Sequence, residues 1–231
     1  MRYADHMPIA RRYDDGCGIA RALDVVGDRW ALLVVRELIF GPKRFLQLRS
    51  GLHGVSPNVL SQRLRDLEDA GLVRRDVLEP PASVAVYELT ARGRALEPVL
   101  LELGRWGSQE PVTTARELSV SALLVALKTV FDPAAAVDAV YGLRVDGQWF
   151  RLAVTGRSID ITAARTARSA GAGETKQPTV TFDTDAATLR AVAFGREPVA
   201  GAEREGRLAV HGDRDAAERF PRMFRVPGRP G

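Results

Sequence analysis

At 231 residues, 45% of them hydrophobic and 27% charged, the chain is long enough for two domains that each bury a core. Its longest apolar run near the N-terminus, Trp30 to Arg36, is too short to cross a bilayer. Residues 1–16 hold early acids and no apolar core of the signal-peptide kind, so a cytoplasmic protein is expected, and the single cysteine excludes an internal disulfide or a cysteine-based zinc site. The net charge of +4 is spread evenly, with 16 Lys/Arg against 15 Asp/Glu in residues 1–110 and 17 against 14 in residues 111–231, so an affinity for nucleic acid has to come from local distribution.

Residues 1–16 are polar and read as an irregular arm. After Cys17, Ile19, Ala22, Leu23 and Val26 recur at helical spacing, and Gly27 ends the segment. Asp28 caps a helix over residues 29–40 that is apolar on two faces, Trp30, Leu33, Val34 and Leu38 on one and Leu32, Val35 and Ile39 on another, which predicts burial on both. Gly41-Pro42 breaks it. A short amphipathic turn with Phe45, Leu46 and Leu48 and a loop over residues 51–55 then deliver the chain to Ser56, an N-cap, and Pro57, suited to a first helical position. Leu60, Leu64 and Leu67 fall on one face of the helix that follows, Asn58, Gln62 and Arg65 on the opposite face, and Ser61 on a flank; Gly71 stops it.

This is the helix-turn-helix order. A plain amphipathic surface helix has the same pattern, and charge helps to separate the two. Between Gly41 and Arg65 stand Lys43, Arg44, Arg49, Arg63 and Arg65 with no acid, and Asp66, Glu68 and Asp69 follow at once. Asn58, Ser61 and Gln62 are therefore assigned to base edges, Arg63 or Arg65 to guanine or phosphate, and Ser56, Lys43, Arg44, Arg74 and Arg75 to the DNA backbone. Arg63 lies near the apolar face, and bracing the helix is its alternative role.

After Gly71 the period changes to two. Residues 72–78 and 84–89 read as strands of a hairpin with a stiff Pro80-Pro81 tip, a wing. Thr90 caps a helix expected through residue 109, whose stripe of Leu96, Val99, Leu100, Leu103 and Trp106 exceeds what a small module needs for its core. Leu96, Leu100, Leu103 and Trp106, with Ile19 and Leu23, are assigned to a dimer interface, because two recognition helices must stand about 34 Å apart to read a two-fold site. The alternative is packing within one domain.

Cys17 to Leu38 (CGIARALDVVGDRWALLVVREL), Arg44-Phe45 with Leu48, Val55-Ser56, Leu60-Ser61 with Arg63-Leu64 and Leu67, Gly71-Leu72-Val73 with Arg75, and Tyr87-Glu88-Leu89-Thr90 with Gly93 together resemble the HxlR family of winged helix-turn-helix transcription regulators. The resemblance implies homodimers on short palindromic operators of double-stranded DNA, commonly beside the regulator's own gene, as repressors or activators. The chain departs from the family at Cys17-Gly18, where Cys-Pro is usual, and at Ala82-Ser83, where a basic residue often follows the wing prolines; the second departure moves the expected wing contacts to Arg74 and Arg75. Some members of the family sense oxidants or electrophiles through a cysteine at the position of Cys17, and the alternative is a small buried apolar residue.

Residues 107–118 read as connecting chain, with 1–110 as the DNA-binding and dimerisation domain, 111–118 as linker and 119–231 as a second domain. That domain begins with a helix over residues 119–131, a break at Asp132-Pro133 and a short Ala-rich helix. Strands over 140–145 and 148–154 flank Asp146-Gly147, a two-residue hairpin signal, and further strands are expected at 158–162, 179–183 and 207–211. A helix over 187–194 capped by Asp185 and another after Asp213 complete an α+β domain with helices on a mainly antiparallel sheet. Residues 166–177 read as a mobile loop. The order, with VTFDTDAATLRAVAFGREPVAGAEREGRLAVHGD, resembles the sterol carrier protein-like fold, which implies a possible apolar cavity. Trp149, Phe150, Leu152, Phe182, Leu189 and Phe194 are the candidate lining for a hydrophobic small molecule; filling the core of a dimer-bracing domain is their alternative role.

His6, His53 and His211 have no metal-binding or catalytic spacing, and the chain lacks glycine-rich nucleotide motifs, so no metal, cofactor or enzymatic activity is expected. The sequence predicts a homodimeric regulator. The alternative is a lipid or hydrophobe carrier whose winged helix serves protein contacts.

Overall fold

The computed structural model describes residues 13–77, 84–110, 113–163 and 177–225. The wing tip at 78–83, including Ala82-Ser83, nearly all of the expected arm and the expected loop at 166–177 up to residue 176 lie outside them. The chain is α+β and divides into two compact units, residues 1–38 with 42–96 and residues 39–41 with 97–231.

The first unit holds α1 (Gly18–Val26), α2 (Ala31–Leu38), α3 (Phe45–Gly51), α4 (Pro57–Asp69), β1 (Val73–Val77), β2 (Ala85–Leu89) and α5 (Ala91–Arg94). Helix α2 admits one acid among its apolar residues. The Glu37 side chain is fully buried and accepts from Arg36 Nη2 at 2.9 Å and Lys43 Nζ at 2.7 Å, since a buried carboxylate requires cationic partners. Gly51 makes room for it: a Cβ there would lie 2.5 Å from Glu37 Oε2. Helix α4 begins with the Ser56 hydroxyl accepting from the Val59 N–H at 3.3 Å. It ends in a Schellman turn, with Gly71 at φ 66°, Gly71 N–H on Glu68 O and Leu72 N–H on Leu67 O, both 2.9 Å.

Strands β1 and β2 pair antiparallel, Val73 opposite Leu89 and Val77 opposite Ala85, and Lys43 adds a backbone bridge to Tyr87. The helix expected over residues 91–109 is two helices, α5 and α6 (Glu97–Gly107). Pro98 has no N–H for the carbonyl of Arg94 and its ring crowds that turn, yet it is tolerated in the first turn of a new helix.

The second unit adds α7 (Val120–Thr129), β3 (Ala139–Val145), β4 (Gln148–Thr155), β5 (Ser158–Ala163), β6 (Val180–Thr184), α8 (Ala186–Ala193), α9 (Val199–Arg204), β7 (Leu208–Gly212), α10 (Arg214–Arg219) and a 3-10 turn, Phe220–Met223. Helix α6 belongs here: Lys128 pairs with Glu97, and Gly104 lies against Thr129. The division therefore falls at 96/97 and not in 111–118. The sheet order is β5-β4-β3-β6-β7, antiparallel except for β3 with β6. Asp146 and Gly147 both take positive φ, 48° and 74°, as a two-residue hairpin turn requires.

Side chains of Ser119, Asp185 and Asp213 cap α7, α8 and α10. The expected Ala-rich helix after Pro133 is a turn, because Asp132 Oδ1 takes the Ala134 N–H at 2.9 Å, a local bond that competes with helix formation. Between the expected helix and the strand at 207–211, residues 199–204 form a further short helix, α9. One face of the sheet and the helices enclose the core, where Tyr141, Phe182 and Phe220 pack ring to ring at 5.0–6.3 Å.

Candidate nucleic-acid interface

Leu60, Leu64 and Leu67 turn α4 toward the core of the first unit and are fully buried, which leaves Asn58, Val59, Gln62 and Arg65 exposed and Ser61 half-buried on the flank. Gln62 is held from both sides. Its Nε2 donates to Asp66 Oδ1 at 2.8 Å, and its Oε1 accepts from Arg65 Nη2 at 2.6 Å. A carboxylate only accepts and a guanidinium only donates, so these neighbours fix which end of the amide is oxygen. One N–H and one lone pair of the amide are left over among the described residues, a donor and an acceptor of the type that is complementary to N7 and N6 of adenine. Asp66 is the residue of this network that the base-contact reasoning missed; its i+4 spacing from Gln62 was the available signal.

Two residues assigned to DNA are committed within the fold. Arg63 is mostly buried and pairs with Asp28 and, at 3.0 Å, with Asp66, tying α4 to the residues before α2. It braces the helix, the alternative its position near the apolar face allowed. Lys43 is occupied by Glu37, a partner invisible to spacing because the two meet only once α2 and the following segment have packed. Ser56 keeps a hydroxyl hydrogen to donate while its oxygen caps α4. Arg44 and Arg75 are exposed, and Arg74 is exposed but bonded across the hairpin to Glu88, Nε to Oε1 2.6 Å.

The HxlR-like helix-turn-helix family profile matches residues 25–113. The HTH-type transcriptional regulator YvaP of Bacillus subtilis is 40% identical over 90 residues, which are 38% of this chain and 82% of YvaP. The chain belongs to the HxlR-like helix-turn-helix family. YodB of B. subtilis, also an HTH-type transcriptional regulator, is 36% identical over 98 residues, 42% of this chain and 88% of YodB. The reduced form of YodB has a solved structure, 34% identical with a TM-score of 0.37 over 40% of this chain and 92% of that one. This HxlR-like chain is a DNA-binding transcription regulator.

Helix α1 buries only Ala20 and Val26, leaving Ile19 72% and Leu23 42% exposed. On α6 the exposed apolar residues are Val99, Leu103 and Trp106, at i, i+4 and i+7, with Trp106 67% exposed; Leu100 turns inward and Leu96 is half-buried. Cys17 is a free, exposed thiol at the N-cap of α1, not a buried apolar residue.

The six residues proposed to line an apolar cavity do not share one. Trp149 and Phe150 are consecutive on β4 and point to opposite faces, 46% and 5% exposed, while Leu152, Phe182 and Leu189 are fully buried in the packed core and Phe194 lies against it. A cleft of about 500 Å³ in this unit lies elsewhere, among Arg105, Gln109, Phe131 and Arg225. Among the described residues no cluster of His, Cys, Asp and Glu could hold a metal ion, and no helix is long and apolar enough to cross a membrane.

Proposed function

We propose that this regulator acts as a homodimer presenting α4 twice to the major groove of a two-fold operator. The observation that carries this is the division of α4 into a buried leucine face and an exposed face where Gln62 is fixed by Arg65 and Asp66. In this reading Gln62 and Asn58 meet base edges, Ser61 approaches from the flank, and Arg65, Arg44, Arg75 and the Ser56 hydroxyl hold phosphates. The exposed stripes of α1 and α6 support a second copy as the partner, since apolar side chains in register on a helix are otherwise left in water. The second unit is assigned to the sterol carrier protein-like fold on its strand and helix order, with bracing of the dimer as its role because the proposed lining residues are packed.

The test is selection of duplexes from a random-sequence pool by the full chain, followed by titration of the enriched duplex at two salt concentrations. Enrichment of an inverted repeat and a steep salt dependence are expected. Binding of all duplexes alike would overturn the reading. Exposure of the thiol favours a sensing role for Cys17 beside the α1 stripe; alkylation is expected to lower operator affinity, and unchanged affinity ends that role.

A further inference from the structure

Val59 is an apolar side chain left 41% exposed in the first turn of α4, third residue of the helix, one position after Asn58 and three before Gln62. At 41% exposure a large part of its apolar surface meets solvent rather than the core of the first unit. A β-branched residue lowers helix propensity, and an exposed first-turn site favours residues with freer side chains. Its backbone N–H serves the Ser56 cap, which any residue but proline would do. Residues three apart on a helix are neighbours, so Val59 and Gln62 share a flank and approach the same stretch of a duplex. The N-terminal residues of a recognition helix are those that reach base edges, and the major groove offers one apolar feature among its donors and acceptors, the 5-methyl group of thymine.

We infer that Val59 is a specificity-determining residue that packs on a thymine methyl in the base pair read by Gln62 or its neighbour. This rests on the DNA-reading role of α4 proposed above. The contact adds selection for thymine over cytosine and over unmethylated pyrimidines without a hydrogen bond, and it excludes water from the amide contact beside it.

The experiment uses the full-length protein and the duplex enriched from a random pool. Each thymine of a half-site is replaced in turn by deoxyuridine, which removes the methyl group and keeps every hydrogen-bonding atom. At one position wild type is expected to lose about fourfold in affinity, the worth of roughly one buried methyl. Val59→Ala loses less than twofold there, and Val59→Ile, which keeps the branched apolar surface, loses as wild type does. Helix content by circular dichroism checks that the variants fold. Equal losses in wild type and Val59→Ala at every thymine, or no loss in either, overturn the inference while leaving the DNA-reading role intact. Failure to enrich any sequence overturns both.

Discussion

Arg63 and Gln62 are adjacent on α4 and have opposite duties: Arg63 is spent on Asp28 and Asp66, whereas Gln62 is held by its neighbours and faces outward. Gln62→Ala is expected to alter preference among operator sequences by about 1–3 kcal/mol, measured by competition between duplexes. Arg75→Ala should weaken every sequence alike and make the slope of log affinity against log salt shallower by about one. Equal losses on all sequences for Gln62→Ala would remove its base-reading role. Lys43→Ala, by contrast, is expected to act on stability, lowering it by roughly 1–3 kcal/mol in urea titration, because Glu37 stays buried with a charged hydrogen bond lost. In the second unit, burial raises the Tyr141 phenol above its ordinary value of 10.0, and its hydroxyl donates to Ala216 O at 3.3 Å. The folded state then holds this proton more tightly than the unfolded chain, so the stability it contributes is present below pH 10 and falls as pH rises through the folded value. Tyr141→Phe should flatten the alkaline fall of stability measured by denaturant titration.

Among the elements, the termini follow local chemistry closely. Ser56, Thr90, Ser119, Asp185 and Asp213 each cap the helix they precede, since a side-chain oxygen one residue before a helix meets N–H groups that have no other partner. Asp185→Ala is expected to cost about 1 kcal/mol through the lost bond to the Thr188 N–H, seen as a lower unfolding midpoint. The break before α6 was less legible, because a proline can interrupt one helix and open the next with the same ring. Gly93 depends on packing: a Cβ there would stand 2.1 Å from Leu72 O, so Gly93→Ala should destabilise the hairpin's junction with α5 far more than the helix-propensity gain offsets.

At the scale of the molecule, the two-fold operator proposed above would need a second copy to match its symmetry, and the exposed residues of α1 offer one surface for it and those of α6 another. Trp106→Glu places a charge in that surface. Sedimentation should show a shift toward monomer, and operator affinity should fall on the order of 100-fold as binding becomes monovalent. A monomeric variant that binds as tightly as wild type would separate DNA reading from dimerisation.

The sequence by itself determined the helix-turn-helix order, the leucine face of α4, the hairpin turn at Asp146-Gly147 and most helix starts, because periodicity, caps and turn glycines act within a few residues. Tertiary structure alone decided that Lys43 and Arg63 have partners inside the fold, that α6 packs with the second unit, and that Trp149 lies across the sheet from Phe150's companions. Those outcomes depend on which distant groups meet after packing. A cation in a sequence looks equally ready for phosphate or carboxylate until burial of Glu37 and the approach of Asp28 settle which one it finds first.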